Sequence, residues 1–296
     1  MKKWFLGAVV LFLLLGYGAV QQKPGAANDE QSKVNDQAQE EAPPRNVRTI
    51  KVDKKQIYQG NLLLVNKAYP VHQEGVTPDV VNLFQHKEWV KGYGLLDNTI
   101  RLSQSVTQQF SKMVDAAAQD GVRHFLISGG YRDAKEQDKL YRKMGADYAL
   151  PAGYSEHNLG LSLDIGSTQM EMNRAPEGKW LTNHAWEYGF VLRYPKDKTD
   201  ITGIQYEPWH FRYVGLPHSA IMQEHHFTLE QYLDYLKTEK TVSTTLEGTA
   251  YEITYYPVSG NTTLQVPADR RYEISGNNMD GVIVTVFADR NVEERP

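Results

Sequence analysis

Residues 153–166, GYSEHNLGLSLDIG, restrict the fold more than any other stretch of this chain. From Leu161 to Ile165 apolar and polar residues alternate, the pattern of a strand buried on one face only. Leu161, Leu163 and Ile165 share one side, and Ser162 and Asp164 share the other. Such a strand needs an apolar layer beneath it and a cleft on its other face that tolerates a carboxylate. Gly160 closes a turn that carries Ser155, Glu156 and His157 into the strand. A His and an Asp brought in this way suit either a hydrogen-bonded core or a metal site. Their spacing alone leaves both open.

Catalytic zinc uses three protein ligands and keeps one position for water or substrate. A third ligand is available in Glu207-Pro208-Trp209-His210. In an extended segment, residues three apart face opposite ways, and Pro208 is the residue able to bend Glu207 and His210 to one side. His210 would complete the ligand set, with Glu207 left unbound as a base. The remaining histidines have plainer readings. His225 and His226 follow Glu224 near a helix end, and His72, His86, His184 and His218 lack a carboxylate or His partner in the sequence pattern.

Several classes fall away. The chain has no cysteine, which removes disulfides, thiol nucleophiles and Cys-ligated metal. No S-x-x-K occurs and no K-T-G follows, against a serine acyl-enzyme. The net charge is −4 and no basic stripe is interleaved with aromatics, so no nucleic-acid partner is expected.

The organisation reads in four parts. Residues 1–20 open with Lys2 and Lys3 and continue as an uncharged apolar run from Trp4 to Val20. Gly18, Ala19 and Val20 make a poor cleavage site, so of the two readings, a cleaved signal peptide and an uncleaved anchor, the anchor is favoured; either way the rest of the chain is exported, and as an anchor the segment holds it at the cell membrane. Residues 21–49 are polar and read as a flexible tether. Residues 50–238 hold the main domain. They include a buried strand at 61–66, a helix over 106–118, a strand at 124–128 and a helix over 133–144 capped by Asp133. A helix around 182–188 capped by Thr182, strands at 189–193 and 206–213, and helical sequence over 217–235 follow. Residues 239–296 are rich in Thr, Val, Tyr and Ile, with Gly-Asn turns, and form a small β-rich module of four or five strands.

Three motifs in order carry a resemblance. Ser155-Glu-His157-Asn-Leu-Gly160-Leu-Ser162-Leu-Asp164 fits S-x-H-x-x-G-x-[AS]-x-D, and Glu207-Pro-Trp-His210 follows it. Upstream, Ser128-Gly-Gly-Tyr131-Arg132-Asp-Ala-Lys-Glu-Gln137 fits S-G-Y-R-[DS]-x-x-x-Q with one variation. From about Tyr58 to Tyr235 the chain resembles the VanY-type zinc D-Ala-D-Ala carboxypeptidases of vancomycin-resistant bacteria, in peptidase family M15.

The resemblance implies an α+β fold, with a small central antiparallel sheet flanked by helices. It implies Zn²⁺ on His157, Asp164 and His210, with Glu207 taking a proton from water and Arg132 stabilising the oxyanion. It assigns Gln137 and Ser155 to the substrate's backbone and terminal carboxylate, with Ser162 and Tyr131 as further candidates for that pocket. The implied partners are peptidoglycan precursor stem peptides ending in D-Ala-D-Ala, met at the outer face of the cytoplasmic membrane. An L,D-carboxypeptidase that trims tetrapeptides, and a zinc-bearing wall-binding module without turnover, are the alternatives.

Overall fold

The structure, a computed structural model, describes residues 46–146 and 148–290. The expected anchor at 1–20, and the expected tether up to residue 45, lie outside the described residues. Among the described residues no helix is long and apolar enough to cross a membrane.

Strands β1 (Val47–Val52), β2 (Val80–Asn82), β3 (Tyr93–Leu95) and β4 (Arg101–Ser103) precede helix α1 (Gln104–Gln119). Then come β5 (Phe125–Gly129), α2 (Ala134–Met144), β6 (Ser162–Ser167), α3 (Pro176–His184), β7 (Phe190–Leu192), α4 (Thr199–Thr202) and β8 (His210–Tyr213). Helices α5 (His218–His225) and α6 (Leu229–Glu239) follow. The described chain closes with β9 (Thr241–Leu246), β10 (Thr249–Pro257), β11 (Thr262–Pro267), β12 (Arg270–Gly276) and β13 (Gly281–Arg290).

The central sheet has the order β3-β5-β6-β8-β7. It departs from the expected antiparallel sheet at one edge, because β3 runs parallel to β5. Every other pairing in it is antiparallel. On one face Phe125, Ile127, Leu163, Ile165 and Phe211 join Phe110, Met113 and Val114 of α1 and Leu181 of α3 in a single core. The alternation of Leu161 to Ile165 therefore forms a strand of the expected kind, with its apolar side down. Helix α1 buries one stripe through Phe110, Met113, Val114 and Ala117, at the spacing read from the sequence. Asp133 caps α2, its carboxylate accepting from Glu136 N while the Glu136 side chain accepts from Asp133 N.

Two local expectations are corrected. The helix expected to start at Thr182 starts at Pro176, whose fixed φ suits the first helical position. Thr182 sits inside it and donates back to Gly178 O at 2.9 Å. The run at 61–66 joins no sheet. Its backbone is satisfied instead by contacts from distant segments. Leu62 N donates to Ser275 Oγ and Leu64 N to Asn277 O, while Arg212 and Asn278 donate to Leu63 O and Leu64 O. Alternation survives without a sheet. Leu63 and Val65 enter the core under the central sheet, and Leu62 and Leu64 enter a second core built from α5, α6, β10 and β13. A segment buried on both sides reads as a continuous apolar run, which is why it mimics a central strand.

The C-terminal strands form a four-stranded antiparallel sheet, β12-β13-β10-β9, and β11 pairs antiparallel with β1. The start of the described chain thus completes the C-terminal β layer. Val52 and Ile57 pack there with Leu264, Val266, Val282 and Val284.

Candidate metal centre

The register of the central sheet builds the site. Antiparallel pairing of β6 with β8 sets Asp164 opposite His210 and Ser162 opposite Arg212. On the other side of β6 an irregularity after Ile127 brings Gly129 opposite Asp164. A Cβ at Gly129 would overlap the Asp164 carboxylate, so only glycine leaves room for the acid. His157 arrives from a single helical turn, Glu156–Asn158, which Ser155 caps by accepting from His157 N. Glu207 and His210 are joined by a tight turn in which His210 N donates to Glu207 O at 3.2 Å. The bend at Pro208 thus brings both side chains to one side, with Glu207 Oε2 3.3 Å from His210 Nδ1.

Three donor atoms converge. His157 Nε2 lies 3.3 Å from Asp164 Oδ1, and His210 Nδ1 lies 3.4 Å from the same oxygen. His157 is 1% exposed and His210 5%, yet His157 Nε2 and Asp164 Oδ1 have no hydrogen-bond partner. Buried polar atoms are seldom left so. His157 Nδ1 donates to Gly130 O at 2.6 Å, which leaves the Nε2 lone pair facing Asp164. Two imidazole nitrogens and one carboxylate oxygen within 4.8 Å of one another are a donor set that fits zinc.

The charges around the trio are ordered. Burial first, then Arg132, holds the His157 pKa down to about 4, so the ring is neutral as a ligand must be. Burial opposes charge on His210 too, but the surrounding carboxylates of Asp164, Glu156 and Glu207 outweigh it and push its pKa well above the usual range. Burial would raise the Asp164 pKa; His157, His210 and Arg132 together pull it well below the usual range.

Beneath His210 lies a buried ion cluster. Glu156 Oε1 accepts from Arg193 Nε at 2.8 Å and from Arg212 Nη1 at 2.7 Å. Its other oxygen accepts from Ser162 Oγ at 3.1 Å and faces His210 Nε2 at 3.6 Å. Arg193 also forks onto Glu230 of α6 at 2.7 and 2.9 Å. Burial works against the Glu156 charge, but Arg193 and Arg212 hold it ionised, far below the ordinary carboxylate range.

The other expected site residues divide. Arg132 faces the site, with Nη1 3.3 Å from Asp164 Oδ2. Gln137 is 1% exposed, and its amide serves Arg132: Oε1 accepts from Arg132 Nε at 2.9 Å and Nε2 donates to Leu150 O at 2.6 Å. Ser155 lines the same cavity of about 260 Å³ as the three donors, with Arg132 and Glu207. Ser162 lies elsewhere, fully buried beneath the site and bonded to Glu156, because the polar face of β6 is covered at that point. Tyr131 turns away from the cavity and lies under the Arg101 guanidinium, 5.0 Å from ring centroid to carbon.

Two residues escaped the sequence reading. Glu156 carries a signal that could have been used, since an acid beside a ligand His in a turn must be placed somewhere. Tyr194 lines the cavity with its ring centroid 4.9 Å from that of His210, and no motif marks it.

Comparison with known proteins gives consistent relatives. The family model described as "VanY: D-alanyl-D-alanine carboxypeptidase" matches residues 99–216. A D-alanyl-D-alanine carboxypeptidase of Enterococcus faecium is 57% identical over 294 residues, covering 97% of each chain. The bifunctional D-Ala-D-Ala dipeptidase and carboxypeptidase VanXYC of Enterococcus gallinarum is 35% identical over 59% of this chain and 94% of its own. Among solved structures, the vancomycin resistance D,D-dipeptidase VanXYg, in complex with a D-Ala-D-Ala phosphinate analog, aligns with a TM-score of 0.72 at 32% identity. It covers 81% of this chain and 99% of that one.

Proposed function

This chain belongs to the VanY family of D-alanyl-D-alanine carboxypeptidases, and from that premise we propose that it is a zinc D,D-carboxypeptidase. Its substrates are peptidoglycan precursor stem peptides, from which it removes the terminal D-Ala. The observation that carries this reading is the pair of unpartnered buried atoms, His157 Nε2 and Asp164 Oδ1, turned toward His210 Nδ1 beside Glu207.

His157, Asp164 and His210 would hold the ion. Bound zinc supplies Lewis acidity that makes a water nucleophilic near neutral pH. Glu207, beside His210 Nδ1, accepts one proton of the attacking water and returns it to the departing D-alanine amine. The remaining hydroxyl adds to the carbonyl carbon as the peptide bond breaks. Arg132, fixed by Gln137, offers positive charge to the oxygen on which charge develops. Ser155 is placed for the substrate's backbone or carboxylate at the cavity wall. Removal of the terminal D-Ala destroys the dipeptide end that vancomycin binds.

One experiment tests the reading. The purified protein should carry about one zinc per chain and release D-Ala from a defined pentapeptide ending in D-Ala-D-Ala. Chelation should stop release and penicillin should not. Release from the tetrapeptide alone would make it an L,D-carboxypeptidase, and zinc with no turnover would make it a binding module. The apolar run from Trp4 to Val20 would hold the enzyme at the outer face of the cytoplasmic membrane, a placement that rests on sequence alone and that fractionation with protease accessibility checks.

A further inference from the structure

We propose that the cleft between the C-terminal β layer and the main domain binds the amino-sugar backbone of peptidoglycan. The choice of that sugar rests on the function proposed above, while the cleft's own chemistry is independent of it. A cavity of about 390 Å³ opens there, against about 260 Å³ at the metal centre. Its aromatic walls come from both sides. Tyr251 of β10 and Phe287 of β13 belong to the β layer, and Tyr188 and Tyr213 to the main domain. Tyr213 lies three residues beyond His210 on β8, which places it about 10 Å along the strand and on the other face of the sheet. The two cavities share no lining residue, so one can be filled without closing the other.

The lining selects by exclusion. His218, at the floor, spends both ring nitrogens on Tyr232 and Thr285 and has none left for chemistry. The cleft is therefore a place to bind and not to react. Its charged side chains are Glu187, Glu273 and Arg271, two acids against one base. Arg271 is already engaged, paired with Glu273 and stacked over the Phe287 ring at 4.1 Å. An anionic ligand would meet two carboxylates and a committed guanidinium. A wholly apolar ligand would strip water from those carboxylates and from the amide of Gln109 and return no hydrogen bond.

What remains is an uncharged ligand with apolar faces and a rim of hydroxyl or amide groups. A pyranose ring has that form. Its C–H faces pack on aromatic rings, and its edge trades hydrogen bonds with carboxylates, amides and phenols. The sugars that bear the stem peptides fit in charge as well. Their amines are acetylated, and the acid that carries the peptide is spent in an amide bond. No residue from 239–296 lines the metal cavity. The β layer thus closes a sugar site behind the central sheet and holds the enzyme beside the strands that carry its substrate.

The test uses full-length, zinc-loaded protein and soluble glycan strands stripped of their stem peptides by an amidase, which leaves nothing for the metal site to bind. Titration calorimetry should show saturable binding. Tyr251→Ala and Gln109→Ala, one from each wall, should each weaken it roughly 10-fold, the loss expected for one ring contact or one hydrogen bond. Both should release D-Ala from a free pentapeptide at the wild-type rate. Alanine suits the α1 helix, so Gln109→Ala decides if Tyr251→Ala does not fold. Wild type that cleaves pentapeptide but does not bind the strands overturns this inference and leaves the function standing. Binding that both variants keep in full overturns it too. So would binding of poly(glycerol phosphate) in place of the strands, or self-association that Tyr251→Ala abolishes, since either gives the cleft another occupant. Strand binding that weakens in both variants of a protein unable to release D-Ala would keep the sugar site and sink the proposed activity.

Discussion

Two regions of this molecule bury histidine, and they do so in opposite ways. On the polar face of the central sheet, His157 and His210 are 1% and 5% exposed; His157 Nε2, facing Asp164, has no hydrogen-bond partner, and neither has His210 Nε2, which is turned to Glu156 at 3.6 Å while its Nδ1 faces Asp164. At the junction of α5, α6 and β13, His218 is 7% exposed and has no ring nitrogen unpartnered. Its Nδ1 meets Tyr232 Oη at 2.7 Å, and its Nε2 meets Thr285 Oγ1 at 3.1 Å. Burial is common to all three and says little about function. What separates them is whether the surroundings finish the ring's hydrogen bonding. The junction does; the sheet stops short, where three donors face one another.

The largest expected effect comes from exchanging the two kinds of histidine for alanine. His157→Ala should leave a folded protein that loses zinc on dialysis and does not release D-Ala. His218→Ala should keep both zinc and turnover, and lose roughly 1–3 kcal/mol of stability by stranding the Tyr232 and Thr285 hydroxyls. Zinc analysis and denaturant unfolding on both variants check this. Loss of zinc from the His218 variant alone would collapse the contrast. Next in size is Glu207→Gln, which keeps the shape of the base but not its proton affinity. Turnover should fall about 10²–10⁴-fold while zinc stays bound. An unchanged rate would remove Glu207 from the chemistry. Arg132→Ala should cost about 10²–10³ in turnover, the usual loss for one oxyanion donor. A variant that only raised KM would make Arg132 a binding group instead.

The contrast also explains what could be read beforehand. The ligands, the base and the arginine come from short motifs whose spacing follows from strand and turn geometry. Asp164 and His210 are strand neighbours, and Pro208 bends Glu207 back beside the histidine. Glu156 and Ser162 lie in the same motif, but their partners, Arg193 and Arg212, come from β7's end and from β8. Nothing local marks two strand arginines as buried. Gln137 was legible as a site residue but not as the clamp of Arg132, since only the fold brings Leu150 O to its amide. The pairing of β1 with β11 escapes for the same reason, as each strand finds its edge across most of the chain. The run at 61–66 misled in another way, for its apolar pattern fits a strand while its hydrogen bonds go elsewhere.

The smallest effect is the most selective test of the junction. Burial pushes the His218 pKa down to about 3 from an ordinary value of 6.5. Above pH 6.5 the ring is neutral whether the chain is folded or not, and it adds no pH dependence. As pH falls below 6.5 the unfolded chain takes up a proton that the folded chain refuses, so stability falls, with a slope approaching about 1.4 kcal/mol per pH unit. The decline continues until pH nears the folded value. His218→Gln has no such proton to refuse. At pH 7.5 the variant should be the less stable of the two, because glutamine fits the Tyr232–Thr285 gap poorly. By pH 5 wild type should have lost about 2 kcal/mol that the variant keeps, so the gap narrows or reverses. Groups common to both proteins, the metal ligands included, cancel in the difference. Denaturant unfolding of both zinc-loaded proteins at the two pH values measures it. A gap of equal size at both would mean that the junction does not hold His218 neutral.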